Sequence, residues 1–316
     1  MTVPVPHPAG PDRAAGEARP TRQVRALGVA IEAWGRSAGG ATRRDDLPWR
    51  STRDPWAVLV SETLAQQPQL SRVVPAYARF LAAFPNAPSC AAAPLGDVLR
   101  AWEGMGYNRR ARHLHLAATA MVERHGGRVP DDLADLLALP GVGPYTARAV
   151  LAFAFGRDVG VVDTNAGRVL SRAVEGRSLR PARAQAVVDA MVPPGRGWSF
   201  GQALLDLGAT VCTSRAPACG ACPVRRRCRW AAAGHPPPDP ARGSAGVSTA
   251  QERFAGSDRQ GRGRLVAALR RGPVAADDLA TATGWPEDPG RARRVSEAVV
   301  AEGLAVRDRA GTLRLP

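Results

Sequence analysis

Leu139-Pro140-Gly141-Val142-Gly143-Pro144-Tyr145-Thr146-Ala147 is the stretch whose reading decides the fold. The helical pattern DDLADLLA precedes it at 131–138, and ARAVLAFAF follows at 147–155. Two apolar helices joined by a Gly-x-Gly turn leave backbone N–H groups free at the start of the second helix. Those amides, together with the helix dipole, suit a phosphate. Gly141 and Gly143 permit a tight turn and close approach of another molecule's backbone. A bare Gly-x-Gly is equally an ordinary helix–helix turn. Its setting in an arginine-rich chain turns the reading toward DNA.

The rest of the chain agrees. Its 316 residues carry 43 basic against 28 acidic side chains, a formal net charge of +15, which points to a polyanionic partner. Every basic residue is arginine. Arginine forks onto phosphate, and a chain without lysine has no side-chain amine for Schiff-base chemistry. The start, MTVPVPHPAG, shows no apolar signal region, and no run is long and apolar enough to span a membrane. A cytoplasmic protein is expected, in which clustered cysteines hold metal more often than disulfides.

Outward from the hairpin, helical periodicity dominates and strand alternation is nearly absent. Val24, Leu27, Ile31 and Trp34 recur at helical spacing. Asp54-Pro55 predicts a capped helix over 56 to about 67. Leu70, Val73, Val74, Tyr77 and Phe80 mark another helix. A third is expected over about 108–125, stopping at Gly126-Gly127. Residues 1–20 read as a disordered tail, 21–231 as an all-α module and 232–258 as a linker. Residues 259–316, with three short helical patterns and a hairpin pattern, read as a small winged-helix-like domain.

Cys212, Cys219, Cys222 and Cys228 stand in the spacing C-x6-C-x2-C-x5-C. Four thiolates in one loop need a cation, and either tetrahedral zinc or a four-iron cluster would serve. Neighbouring Arg215, Arg225, Arg226, Arg227 and Arg229 would then be held toward phosphates. Cys90 reads as a buried small hydrophobe, and the five histidines show no metal-ligand spacing.

Two carboxylates stand out. Glu62 lies among apolar neighbours in VLVSETLAQQPQL, where burial would keep it protonated as a general acid. An exposed helix glutamate is the plainer alternative. Asp163, in VGVVDTNAGRVL, sits at a helix start and reads either as a cap or as a catalytic carboxylate. Glycosidic cleavage uses such a pair: one acid protonates the leaving group, and one carboxylate stabilises an oxocarbenium-like cation or directs water.

LPWR (47–50), SETLAQQPQ (61–69), GMGYNRRARHL (104–114), LPGVGPYTA (139–147), VDTN (162–165), FGQALLDLGA (200–209) and the cysteine set together resemble the MutY-type adenine DNA glycosylases of the endonuclease III superfamily. The resemblance implies a helix-hairpin-helix DNA glycosylase fold with a C-terminal iron–sulfur loop. By it Glu62 protonates adenine, Asp163 stabilises the cation, and Tyr145 and Asn165 complete the catalytic site. Leu47, Trp49, Arg50 and Gln202 match the adenine pocket. Gln66 and Gln67 probe the duplex near the mispair, and Tyr107 wedges beside the opposing base. Gly141 and Gly143 hold the backbone of the DNA, and the four cysteines bind a [4Fe–4S] cluster. The implied partner is duplex DNA carrying adenine opposite 8-oxoguanine or guanine, bound by a monomer. Tyr145 stands where bifunctional relatives carry a lysine, which implies a monofunctional enzyme. The chain departs from the family at Pro68, which replaces the threonine of the usual LQQT pattern. It departs again after residue 240, where many members carry a Nudix-like domain that reads oxidised guanine and this segment is too short and helical for one. A thymine or uracil mismatch glycosylase and a non-catalytic iron–sulfur DNA-binding protein are the competing readings.

Overall fold

The computed structural model describes residues 22–37, 46–66, 69–244 and 253–316. Helices account for nearly all of its regular structure, as expected. α1 (Arg22–Ser37) buries Leu27 and Ile31. α2 (Pro55–Leu64) opens on Asp54, whose side chain accepts from the Trp56 amide, with proline at the first helical position. It ends three residues earlier than the periodicity predicted, its carbonyls passing to a side chain from elsewhere in the chain. α3 (Leu70–Ala83) accommodates Pro75, and α4 (Ala87–Ala92) starts from a reciprocal Asn86–Ser89 capping box. α5 (Leu95–Ala101) and α6 (Arg109–His125) follow, α6 stopping where Gly126 turns left-handed at φ 59°. α7 (Leu133–Leu137) and α8 (Pro144–Phe153) flank the hairpin.

α9 (Thr164–Val169) runs on through a π-helical turn, Leu170–Glu175. α10 (Pro181–Met191) and α11 (Gly197–Asp206) complete the module, α11 again continuing in a π-helical turn, Leu207–Val211. Among the described residues the core divides in two. One half gathers α2 to α8 around Phe80, Trp102 and Met121. The other gathers α1, α9, α10 and α11 around Phe200, Leu204 and Leu170. Leu205 packs against both halves, and the candidate site lies where they meet.

After α12 (Arg229–Ala232), the described residues to 244 lie against the first π-helical turn: Asp239 pairs with Arg172, and Ser178 donates to the Arg242 carbonyl. The C-terminal unit comprises α13 (Asp258–Arg271), α14 (Leu279–Thr283), α15 (Pro289–Ala301) and a hairpin of β1 (Val306–Arg307) with β2 (Leu313–Arg314), to which Val274 adds a bridge. Its apolar side chains join the first core half, and α13 packs on α5. Arg270 donates to the Leu99 carbonyl and to Asn108 Oδ1, both at 2.8 Å.

Candidate active site

α2 and α8 pack side by side and bring Glu62 against Tyr145. Their side chains hydrogen-bond, and Asp163 and Arg50 lie within electrostatic reach of Glu62. Burial pushes the Glu62 carboxyl up to about 7, reinforced by Asp163 and opposed by Tyr145 and Arg50. Glu62 is therefore not the exposed helix glutamate. Tyr145, enclosed beside two carboxyls, is held well above its ordinary range, so its hydroxyl stays a donor.

Asp163 combines both of its readings. One carboxylate oxygen caps α9 by accepting from the Ala166 amide at 2.6 Å, and the other accepts from Asn165 Nδ2 at 2.8 Å. Burial raises its pKa, while these donors and Arg168 pull it down. Arg168 extends the network. It donates to Asn165 Oδ1 at 2.8 Å, to the Gly208 carbonyl at 2.6 Å and to the Cys212 carbonyl at 2.6 Å.

The LPWR segment supplies a second wall. Arg50 makes paired hydrogen bonds of 2.7 Å with both Asp206 oxygens. Trp49 stands edge-on to Tyr77, and Leu47 is buried. Beside Asp206, Gln202 opens onto a cleft of about 520 Å³ that Arg53, Phe155 and Trp198 also line. Glu62, Tyr145, Asp163 and Trp49 do not line this cleft, so it lies beside the catalytic group rather than around it.

Gln66 is half-buried, with its amide 3.4 Å from Thr146 Oγ1; Gln67 lies outside the described residues. Tyr107 is 46 % exposed and holds the left-handed φ of 45°, rare for a bulky residue. The two hairpin glycines differ. Gly141 needs its φ of 77°, and a Cβ there would meet His113 at 2.5 Å. Gly143 has extended backbone that any residue adopts, and a Cβ there would meet nothing within 4 Å. Turn geometry thus requires Gly141 alone, while Gly143 leaves the front of the α8 N-terminus open.

Residues 60–183 match the model of the HhH-GPD superfamily base excision DNA repair proteins. The adenine DNA glycosylase of Mycolicibacterium smegmatis is 42% identical over 83% of this chain and 88% of its own length. That of Mycobacterium tuberculosis is 43% identical over 86% and 89%. The chain belongs to the adenine DNA glycosylases. Human adenine DNA glycosylase is 39% identical over 58% of this chain, although that covers only 36% of the human protein. Among solved structures, a thermostable thymine-DNA glycosylase superposes with a TM-score of 0.62 at 28% identity, covering 67% of this chain and 98% of that one. An endonuclease III–DNA covalent intermediate, at TM-score 0.56 and 24% identity, shares the fold over 68% of the chain. The helix-hairpin-helix expectation is thereby met, and this adenine DNA glycosylase is a DNA-binding enzyme of base excision repair.

In this glycosylase all four loop cysteines, Cys212, Cys219, Cys222 and Cys228, line one small chamber with Val169, Val211 and Val224. They form no disulfide. Among the described residues no three Cys, His, Asp or Glu side chains are close enough to hold a metal ion. Four thiols in one chamber are a donor set that either a tetrahedral zinc ion or a four-iron cluster takes. Arg172, 2% exposed, pins the loop by donating to the Thr213 and Ser214 carbonyls and reaching Cys212 Sγ at 3.5 Å. Cys90 is buried in the core, where burial pushes its thiol up to about 12.

The sequence reading missed Asp206, Arg168, Arg172 and Arg110. Asp206 had a signal, since it falls one helical turn after Gln202 in FGQALLDLGA and so shares its face. The arginines had none, because nothing local separates a buried arginine from the many others in this chain.

Proposed function

We propose that this adenine DNA glycosylase excises adenine mispaired with 8-oxoguanine or guanine, by monofunctional hydrolysis. One observation carries the reading: Glu62, half-buried and near neutral in its titration, hydrogen-bonds Tyr145 within reach of Asp163. The adenine leaves the helical stack and enters between Trp49, Arg50 and Gln202, because the glycosidic bond is out of reach inside a duplex. Protonated Glu62 gives its proton to a purine ring nitrogen. The bond between sugar C1′ and the base breaks, and its electron pair leaves with the base. Asp163, oriented by the Ala166 and Asn165 donors, stabilises the cation on the sugar. Water adds to C1′ and returns a proton to Glu62, leaving an abasic site and free adenine. Tyr145, as hydrogen-bond donor to Glu62, orients the carboxyl and eases release of its proton. With no lysine in the chain, a Schiff base to the sugar has no side-chain amine to form it.

Gly141 and Gly143 present the start of α8 to a phosphate, while Gln66, Gln67 and Tyr107 enter the duplex at the mispair. Cys212, Cys219, Cys222 and Cys228 hold a [4Fe–4S] cluster that fixes the arginine-rich loop on the backbone. Residues 21–231 act as the catalytic module and 259–316 as a winged-helix-like unit, in a monomer working on cytoplasmic DNA. Among the described residues no helix is long and apolar enough to cross a membrane.

Single-turnover cleavage of labelled duplexes tests this, with adenine opposite 8-oxoguanine, guanine or thymine and thymine opposite guanine. Alkali-dependent breaks at adenine, strongest opposite 8-oxoguanine or guanine and absent with Glu62→Gln, are expected. Breaks at thymine alone would move the protein toward the activity named for its thymine-DNA glycosylase neighbour.

A further inference from the structure

Arg110 lies outside the catalytic group yet touches both segments assigned above to the duplex. Its Nη1 donates to the Thr63 carbonyl at 2.8 Å, the Leu64 carbonyl at 3.5 Å and the Gln66 carbonyl at 2.6 Å. The Thr63 and Leu64 carbonyls belong to the last turn of α2, where carbonyls lack helical partners and a cation is favoured by the dipole. The other side of the guanidinium lies 5.1 Å from the Tyr107 ring centroid and 5.7 Å from that of Trp102. Trp102 in turn donates to the Gly106 carbonyl at 3.0 Å, fixing the turn before Tyr107. Arg110 also lines a small chamber with Gln66, His113, Pro140 and Gly141, at the back of the hairpin.

The residue is placed at some expense to the fold. Its Nε and Nη2 are buried and make no hydrogen bond. Buried unpaired donors are rare and destabilising, and a purely structural position would be filled better by an apolar side chain. Lysine would not reproduce it either. An ammonium can cap carbonyls, but it lacks the plane that lies along an aromatic ring.

We propose that Arg110 is a positioning residue that couples the Gln66 segment to Tyr107, so that the two enter the duplex as one body. The proposal rests on the roles given above to Gln66 and Tyr107. Displacement of either segment moves the guanidinium and hence the other. Insertion of the wedge is thereby linked to the end of the helix that carries Glu62.

A double-mutant cycle on the full chain tests the coupling. Arg110→Lys, Tyr107→Ala and the double variant are compared in single-turnover excision on an adenine mispair. In parallel, 2-aminopurine beside the mispair reports unstacking by its fluorescence. Each single variant loses roughly tenfold or more in rate, and the double variant loses about as much as Tyr107→Ala alone. The unstacking signal falls in all three, while melting temperatures stay close to that of the parent. Losses that multiply, or an Arg110→Lys signal equal to the parent's, overturn the proposal. Should Arg110→Lys fail to fold, Gln66→Ala combined with Tyr107→Ala makes the same test, and multiplying losses there overturn it too. If the parent leaves adenine untouched, the functional reading fails by itself, and the fluorescence cycle still decides the role of Arg110.

Discussion

Arg50 and Asp206, 156 residues apart in sequence, meet through two hydrogen bonds of 2.7 Å in a site that leaves neither side chain more than 9% exposed. The pair joins the two halves of the core directly beside Glu62. A buried pair loses more when broken than it gains when formed, because the surviving charge is stranded.

Asp206→Ala therefore destabilises the protein by about 3–5 kcal/mol, read as a shift in the urea midpoint. Asp206→Asn retains a hydrogen-bond acceptor and loses less. A midpoint unchanged in Asp206→Ala would show that Arg50 finds another partner.

Glu62 predicts a trade between stability and activity. Its folded-state pKa of about 7 lies above the ordinary value of 4.5, so the folded protein holds this proton more tightly than the unfolded chain. The resulting destabilisation enters as pH rises from the lower value and is complete above the upper one. Glu62→Gln carries no charge to bury. It should raise stability by about 3 kcal/mol at pH 8, with little change at pH 4, while abolishing excision. Melting curves at the two pH values, beside the cleavage assay, check both halves.

For the parent enzyme the same shift sets the basic limb of the pH–rate profile. Single-turnover rates should fall as pH rises through about 7, as the Glu62 proton is lost. A flat profile to pH 9 would remove Glu62 as the acid.

The hairpin glycines separate folding from binding. Gly141→Ala forces a left-handed φ and a clash with His113, which should lower stability by about 1–3 kcal/mol. Gly143→Ala meets open space and should leave the melting temperature alone. It should weaken duplex binding several-fold, because the methyl group occupies the approach to the α8 amides. Calorimetry and a fluorescence-anisotropy titration distinguish the two.

What was legible in the sequence was local. Asp54 and Pro55 announce α2, Gly126 ends α6, and Asp163 caps α9, because each acts through its own neighbouring backbone. The hairpin could be read for the same reason. The end of α2 could not, since it is Arg110, 47 residues further on, that takes the carbonyl of Thr63. The pairing of Arg50 with Asp206 was equally hidden, although both stood inside recognised motifs. In a chain whose basic residues are all arginine, charge alone does not tell a strut from a phosphate contact.

Arg270 offers a further test, on the C-terminal unit. Its removal leaves the Leu99 carbonyl and Asn108 Oδ1 without their donor at the junction with α5 and α6. Arg270→Ala should cost about 1–3 kcal/mol and open α13 to faster proteolysis. A digestion rate equal to the parent's would mean that the apolar contact alone secures the unit.

Arg168 ties the backbone of the cysteine loop, at Cys212, to Asn165 and so to the carboxylate of Asp163. Chemical injury to a sulfur in that loop therefore reaches the sugar-facing end of the site through a single side chain, whereas Gln66, Tyr107 and the hairpin stand on other elements. Damage there would disturb the arginine-rich face that meets the backbone and the carboxylate beside the sugar together, so that loss of grip and loss of cutting come as one fault.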